Sequence, residues 1–446
     1  MATHATVITY GTFDLFHEGH RRLLERAREL GDRLIVGVTT ENYDDSRGKL
    51  NIHQSLMERI ENVRGSGLVD EIIIEEYEGQ KVTDIQKYGA DIFAIGSDWL
   101  GKFDFLKDYC EVVYLERTTG VSSTELRARS AGILGLGVVG TGRIANRFVP
   151  ESKFVSGVDI PGVYGVTPAS VEAFAARHEL SFSTTDYDEF LSRVDAVYIA
   201  SPHQFHADQV RRALTAGKHV LAEKPLSLTA AEVRELTALA SDNGLVLLEA
   251  IKTAYSPGFI RLVAIARSGL IGNIRNVEAT FTKLSSGELR ELDAASDGGS
   301  VTELASYPLL AVAKLLGTAP LEVSAQSLFA DGYDVDVFTK INLRFEHALA
   351  SVRVGLGVKS EGDLVIGGTS GYIYVPSPWW KTEYFEVRYE NPADNKKYFY
   401  RFDGDGLRYE IAEFSTMIAG GDTETYKLTA AESVFIADMI ERSRPA

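Results

Sequence analysis

"YGTFDLFHEGH", residues 10–20, lies where an apolar strand gives way to a helix. The run ATVITYG (5–11) reads as a buried strand, and HEGHRRLLERARELGD as an amphipathic helix closed by Gly31. His17 and His20 stand three apart at the head of that helix and share one face. Backbone N–H groups and the positive end of the helix dipole favour an anion there. Imidazoles so placed donate hydrogen bonds to phosphate oxygens and stabilise charge developing on phosphorus. Gly11 and Gly19 would let the backbone approach a nucleotide, and Thr12, Phe13 and Asp14 complete the loop, Asp14 as an orienting or Mg2+-linked carboxylate. Taken alone, an H-x-x-H pair is more often a capping or core pair. Zinc is disfavoured because no further Cys or His cluster supplies ligands.

Outward from this point the chain alternates. RLIVGVTT, VDEIIIEE, ADIFAIGSD and CEVVYLER read as strands, with LMERIENVRGSG and KVTDIQKYG as helices between them, which implies βαβ units and a parallel sheet. A second strand–turn–helix, AGILGLGVVGTGRIANRF, begins at residue 131 and opens another alternating series that runs to LVLLEA. From about residue 270 longer alternating strands (NVEATFTKL, LEVSAQSLFA, DVFTKINLRF, LASVRVGLG, GYIYVPS) predict a mainly antiparallel sheet, with one helix at 308–316 and another at the C-terminus. The expected fold is α/β: two doubly wound Rossmann-like parallel-sheet domains (1–130 and 131–250), then an α+β domain (251–446) with a large, mainly antiparallel sheet.

Composition agrees with this organisation. A chain of 446 residues is too long for one ordinary core. A net charge of −17 argues against nucleic acid and anionic membrane as main partners. The single cysteine, Cys110, excludes an intramolecular disulfide and fits a reducing compartment. With no run of membrane-spanning length and a strand at the N-terminus in place of a signal peptide, a cytoplasmic enzyme of small-molecule substrates is expected.

HEGH after YGTFD resembles the H-x-G-H nucleotidyltransferase superfamily, and residues 5–129 resemble its glycerol-3-phosphate cytidylyltransferase branch through HEGHRRLLERARELGDRLIVGVTT, GSDWLGKFDFLKD (96–108) and RTTGVSSTELR (117–127). The resemblance implies CTP, with Mg2+, as substrate. It places His17 and His20 on the triphosphate, and Arg47 and Lys49 of SRGKL as a mobile basic pair gripping phosphates. It also places Arg59 and Asp98 at the acceptor and nucleotide sites, and Arg117, Thr118 and Ser122 on the base and phosphates. Two positions depart from the family near the acceptor. Gly67 replaces an arginine (Arg64 lies one turn earlier), and Glu78, beside Tyr77, replaces a tryptophan. The nucleotide is therefore better specified than the acceptor polyol.

The second glycine stretch offers two overlapping G-x-G-x-x-G readings. Gly135, Gly137 and Gly140 lie largely inside the strand, where glycines serve close packing. Gly140, Gly142 and Ala145 fall at the strand's end and open the helix with Arg143 and Ile144, where a pyrophosphate binds. Asp159 precedes Pro161 and is a poor strand-end residue. Gly165 and Val166 then take the ribose position, where no carboxylate favours NAD, so NADP(H) is preferred over NAD(H).

Downstream, VDAVYIASPHQFH (194–206), AGKHVLAEKPLSLT (216–229), LLEAIKTAYSP (247–257) and DGGSVTELASYPLLAVAKLLG (297–317) resemble the Gfo/Idh/MocA oxidoreductases. The resemblance implies that Ser201, Pro202, His206, Glu223 and Pro225 line the cofactor, with Lys224 beside the nicotinamide. Tyr307 stands where many members have histidine, as in dihydrodiol dehydrogenases, and would donate the proton; Glu303 would orient substrate hydroxyls, and Lys252 or Lys283 would take a substrate phosphate. Fusing the two halves suggests successive steps. A keto-sugar or triose phosphate would be reduced to an alditol phosphate and then activated as a CDP-alditol, for teichoic-acid or capsule polymers by resemblance. The rivals are a reductase of a CDP-linked sugar, a cofactor-sensing module without turnover, and an adenylyltransferase. Both resembled families imply a homo-oligomer.

Overall fold

The computed structural model describes residues 5–116, 132–287 and 289–445. The first sheet has five strands, β1 (Thr6–Gly11), β2 (Arg33–Thr39), β3 (Glu71–Glu75), β4 (Ile92–Gly96) and β5 (Glu111–Leu115), all parallel in the order β3-β2-β1-β4-β5. Val7, Val36 and Ala94 carry one layer of core on this sheet, and Ile8, Ile35 and Phe93 the other. Burial on both faces is what a helix-covered parallel sheet requires, and it explains the continuous apolar runs. Strand order reverses between β1 and β4, so the turn after β1 opens at a topological switch point, where α/β sheets bind ligands.

The second sheet comprises β6 (Leu134–Val139), β7 (Val158–Asp159), β8 (Gly162–Tyr164), β9 (Phe182–Thr184), β10 (Ala196–Ile199), β11 (His219–Glu223) and β12 (Leu247–Ala250). Its order is β12-β11-β10-β6-β8-β9, with the short β7 also paired to β6, which is the dinucleotide-binding arrangement. Gly135 and Gly137 are inside β6. A Cβ on Gly137 would stand 2.5 Å from the Phe190 ring and 2.7 Å from Val194, so this glycine admits packing side chains.

The third sheet has eight strands, β13 (Ile274–Thr282), β14 (Glu322–Phe329), β15 (Asp336–Arg344), β16 (Leu349–Gly355), β17 (Leu364–Gly368), β18 (Tyr372–Val375), β19 (Tyr384–Arg388) and β20 (Lys396–Phe399). They run in the order β14-β15-β16-β13-β17-β18-β19-β20, antiparallel except for the parallel pair β13–β16. Three strands and several helices escape the sequence pattern. β17, β19 and β20 are four or five residues long, too short for periodicity to register. The expected single helix at 308–316 is Ser306–Leu316, preceded by Ser300–Leu304, and the C-terminus carries two helices, Leu407–Gly420 and Ala430–Ser443.

By its contacts the chain forms two compact units, Met1–Gly137 with Val149–Val194, and Val138–Phe148 with Asp195–Ala446. Among the described residues no helix is long and apolar enough to cross a membrane.

Gly137→Ala drives a methyl into Phe190 and Val194 and is expected to cost about 1–3 kcal/mol, as overpacking does. The check is a lowered midpoint in urea denaturation.

Candidate functional sites

In the first unit, His17 is the N-cap of the helix Glu18–Glu29. Its Nδ1 accepts from the Gly19 N–H (3.0 Å), while the His17 N–H donates to Nδ1 of His20 (3.4 Å). The pair is thus a capping box built of imidazoles, with rings stacked 3.9 Å apart. An accepting Nδ1 carries no proton, so each neutral ring holds its proton on Nε2. The cap therefore fixes the tautomer that gives both histidines an N–H donor for phosphate oxygens. At Gly19 a Cβ would lie 2.8 Å from the His17 ring, so the glycine makes room for the cap itself.

The loop between β1 and this helix is strained, with Phe13 at φ 53° and Leu15 at φ 46°. Asp14 holds it. Its carboxylate accepts the backbone N–H of His53 (3.0 Å) and Gln54 (2.9 Å), and Gln54 Oε1 accepts from Leu15 N (2.8 Å). The structure thus puts Asp14 to work ordering the loop.

Asp44, which no sequence signal singled out, is the hub beside it. Fully buried, it accepts from Thr12 Oγ1 (2.9 Å), Thr39 Oγ1 (2.6 Å), Arg47 (2.5 Å) and Arg59 (3.5 Å). Arg59 is also fully buried, donating through Nη1 to the carbonyls of Thr12 (2.8 Å) and Thr39 (2.9 Å) and through Nε to that of Gln54 (3.2 Å). Arg59 therefore braces the ends of β1 and β2 from beneath. Lys49 and Asp98 come together through a third group, Lys153. Arg117, Thr118 and Ser122 lie outside the described residues.

In the second unit, β6 runs out at Val139 and the chain turns at Gly140, φ 103°, where a Cβ would strike the Ala200 carbonyl oxygen at 2.7 Å. Around Gly142 a Cβ would meet nothing within 4 Å, and the helix Arg143–Ser152 begins at once. A tight turn, open space and fresh helix N–H groups fit a pyrophosphate. Ile144 occupies the first turn of that helix, and the Arg143 guanidinium reaches Glu291 (3.0 Å).

His206 is wholly buried, its Nε2 2.9 Å from the Ser201 carbonyl and its Nδ1 2.9 Å from the Pro225 carbonyl. It sits between the Ser201–Pro202 turn and the cis Lys224–Pro225 turn; burial holds its pKa down, and the neutral ring has one N–H to donate to one of the two carbonyls. Glu223, buried at the end of β11, accepts from the Tyr198 hydroxyl (2.6 Å); burial raises its carboxyl pKa. Lys224 Nζ donates to the carbonyl of Glu303 (3.0 Å), one turn before Tyr307. The Tyr307 ring packs on Phe281 (5.2 Å between centroids), which itself stacks on Trp380 at 3.8 Å. Burial, with the Glu223 and Glu410 carboxylates nearby, pushes the Tyr307 phenol pKa up and keeps its proton on.

The Glu303 carboxylate faces Arg290 (3.2 Å) and His203 (3.8 Å). Burial lowers the His203 pKa, with Lys224 the nearest cationic cause. Neither Arg290 nor His203 was picked out from sequence, although SPHQFH displays the histidine. Lys252 donates to the Asp405 carbonyl (2.6 Å), and burial lowers its pKa against the opposing pull of Glu410, Asp405 and Glu223. Lys283 pairs with Glu291 (3.4 Å).

A helix-capping histidine pair at one switch point, and at another an open glycine turn in the same compact unit as Lys224 and Tyr307, fit a nucleotidyltransferase joined to a dinucleotide-dependent oxidoreductase. Comparison with known proteins agrees. Residues 8–129 match the cytidylyltransferase-like family, 134–250 the oxidoreductase family with NAD-binding Rossmann fold, and 259–374 the GFO/IDH/MocA C-terminal domain. The glycerol-3-phosphate cytidylyltransferase of Bacillus spizizenii is 52% identical over 127 residues, 28% of this chain and 98% of that one. The trans-1,2-dihydrobenzene-1,2-diol dehydrogenase of Oryctolagus cuniculus is 30% identical over 323 residues, 69% of this chain and 97% of that one. The 3-ketoreductase KijD10 of Actinomadura kijaniata, solved with NADP and TDP-benzene, shares the fold at 23% identity and TM-score 0.63, covering 70% of this chain and 97% of its own. The chain belongs to both the cytidylyltransferase-like and the Gfo/Idh/MocA families.

Two expectations follow. Asp44→Ala strands the buried Arg59 charge and is expected to destabilise the first unit by about 3 kcal/mol or more, read as a urea midpoint shift. Glu249, buried and accepting from Leu226 N (3.0 Å), has its pKa raised by burial to about 7. The folded chain then keeps a proton that the unfolded chain loses above about 4.5. Stability should therefore fall as pH rises across that window, by about 3 kcal/mol. Denaturation midpoints at pH 5 and pH 8 should differ less in Glu249→Gln.

Proposed function

We propose that this chain reduces a keto-sugar phosphate or triose phosphate to an alditol phosphate with NAD(P)H, then transfers CMP from Mg2+-bound CTP onto it, giving a CDP-alditol and pyrophosphate. The observation that carries the proposal is the union, in one chain, of a cytidylyltransferase with an oxidoreductase that has a lysine and a protonated tyrosine at its site. In the first step Lys224 polarises the substrate carbonyl and Tyr307 gives its proton to the oxygen that becomes the hydroxyl. Bound NAD(P)H supplies the hydride. In the second, an oxygen of the alditol phosphate attacks the α-phosphorus of CTP and pyrophosphate leaves, while His17 and His20 donate from Nε2 to the phosphate oxygens. Contrary to the sequence reading, Asp159 does end a strand, β7, but β8 runs on and ends before Gly165 and Val166, and the lack of a carboxylate there supports NADP(H) over NAD(H). On this proposal the enzyme works in the cytoplasm as a homo-oligomer on small molecules, feeding a cell-wall or capsule polymer.

One observation favours a second substrate. The Phe281–Trp380 stack beside Tyr307 is partly exposed and suits a sugar ring, as on a CDP-linked sugar.

The test supplies CTP, Mg2+ and NADPH with dihydroxyacetone phosphate, ribulose 5-phosphate or fructose 6-phosphate, and looks for a CDP-alditol by mass spectrometry. Tyr307→Phe should slow NADPH oxidation by about 100-fold or more. His17→Ala should slow CMP transfer by about 100–1,000-fold and spare NADPH oxidation. A product from CTP and ready-made alditol phosphate, with no keto phosphate reduced, would remove the first step as drawn.

A further inference from the structure

The two first-unit residues that resemblance assigns to CTP and the structure brings together are both engaged by one short segment from far along the chain. Lys49 Nζ donates to the carbonyl oxygen of Lys153 (2.7 Å). Lys153 Nζ lies 2.5 Å from Asp98 Oδ1. Between these contacts the backbones pair. Leu50 and Val155 form a parallel bridge, with Leu50 N donating to the Phe154 carbonyl (2.7 Å) and Ser156 N to the Leu50 carbonyl (2.9 Å). The Phe154 ring meets Trp99 edge-on at 6.2 Å, one residue beyond Asp98, and a Cβ on Gly157 would stand 2.9 Å from the His53 ring. Backbone bridge, ion pair, carbonyl anchor and ring contact all fall within residues 153–157, and all lie in the first compact unit.

This segment is outside the cytidylyltransferase-like stretch, which closes at residue 129. The Bacillus spizizenii relative is covered to 98% of its length by 127 residues of this chain, so it has no room for a counterpart in its own chain.

We propose that Lys153 is a positioning residue for CMP transfer, supplied to the cytidylyltransferase site from the oxidoreductase sequence. The inference rests on the reading that Lys49 and Asp98 serve CTP. A lysine on a mobile loop loses much rotamer freedom when it grips a phosphate. The Lys153 carbonyl aims the Lys49 ammonium beforehand, and because an ammonium carries three N–H groups, a bond to one carbonyl sets its direction and phosphate oxygens take another. The Asp98 carboxylate would repel a triphosphate, and the Lys153 ammonium offsets that charge at short range. The Leu50–Val155 bridge holds the basic loop in register with both contacts.

The test measures KM for CTP and kcat in the full chain for wild type, Lys153→Ala, Lys153→Arg and Lys49→Ala, with NADPH oxidation as the control for the rest of the molecule. Lys153→Ala is expected to raise KM for CTP about tenfold with kcat within threefold and NADPH oxidation unchanged, because the Asp98 partner is lost. Lys153→Arg, which keeps the charge, should stay within threefold of wild type. If Lys49→Ala impairs CTP use while Lys153→Ala leaves its KM within twofold of wild type, the inference is overturned and the CTP reading stands. An equal loss in Lys153→Ala and Lys153→Arg overturns it as well. Should Lys49→Ala use CTP normally, the CTP reading falls and the inference falls with it.

Discussion

Backbone N–H groups at the start of a helix have no acceptor within that helix, and in a parallel sheet each such start lies at the carboxyl end of a strand. Both candidate sites answer this one requirement, in opposite ways. After β1 the chain meets it internally, since His17 and His20 cap the helix Glu18–Glu29 and in doing so orient their own Nε2 donors. After β6 the chain instead makes room, with Gly140 turning the backbone and Gly142 leaving space before Arg143. On the function proposed, the first device would stabilise charge during group transfer and the second would take up the charge of a dinucleotide.

The parts of this design that depend on local pattern were legible in the sequence. Most strands of the first two sheets and the helix opening at HEGH follow from periodicity and from where a strand must end, while β7 and β9, two and three residues long, gave no pattern to read. Gly137, packed against Phe190 and Val194, shows why an in-strand glycine is a poor guide to cofactor binding. Lys224 and Tyr307 were named from motif, and in the folded chain Lys224 reaches the Glu303 carbonyl, one turn before Tyr307.

What escaped was non-local or concerned burial. Asp44 sits in an unremarkable ENYDDS stretch, and only the folded chain shows Thr12, Thr39, Arg47 and Arg59 converging on it. Arg59 was expected at the acceptor and nucleotide sites, and the folded chain encloses its guanidinium wholly, which a pattern of residue types does not report. Asp14 likewise turns inward, to brace a strained loop, while the exposed Gly19 makes room for the His17 ring. In the third sheet, β13 and β16 pair in parallel among antiparallel neighbours, a choice set by chain connectivity and invisible to alternation.

The Leu50–Val155 bridge bears on how such a chain evolves. Two enzymes joined by a simple tether can be parted again by gene fission with little loss. Here, cutting between the two family segments would strip Leu50 of partners for both its N–H and its carbonyl, and would take from Lys49 and Asp98 the groups they now hold. Each contact added across residues 153–157 thus works as a ratchet, making a separated first half a poorer ancestor and the fusion harder to reverse.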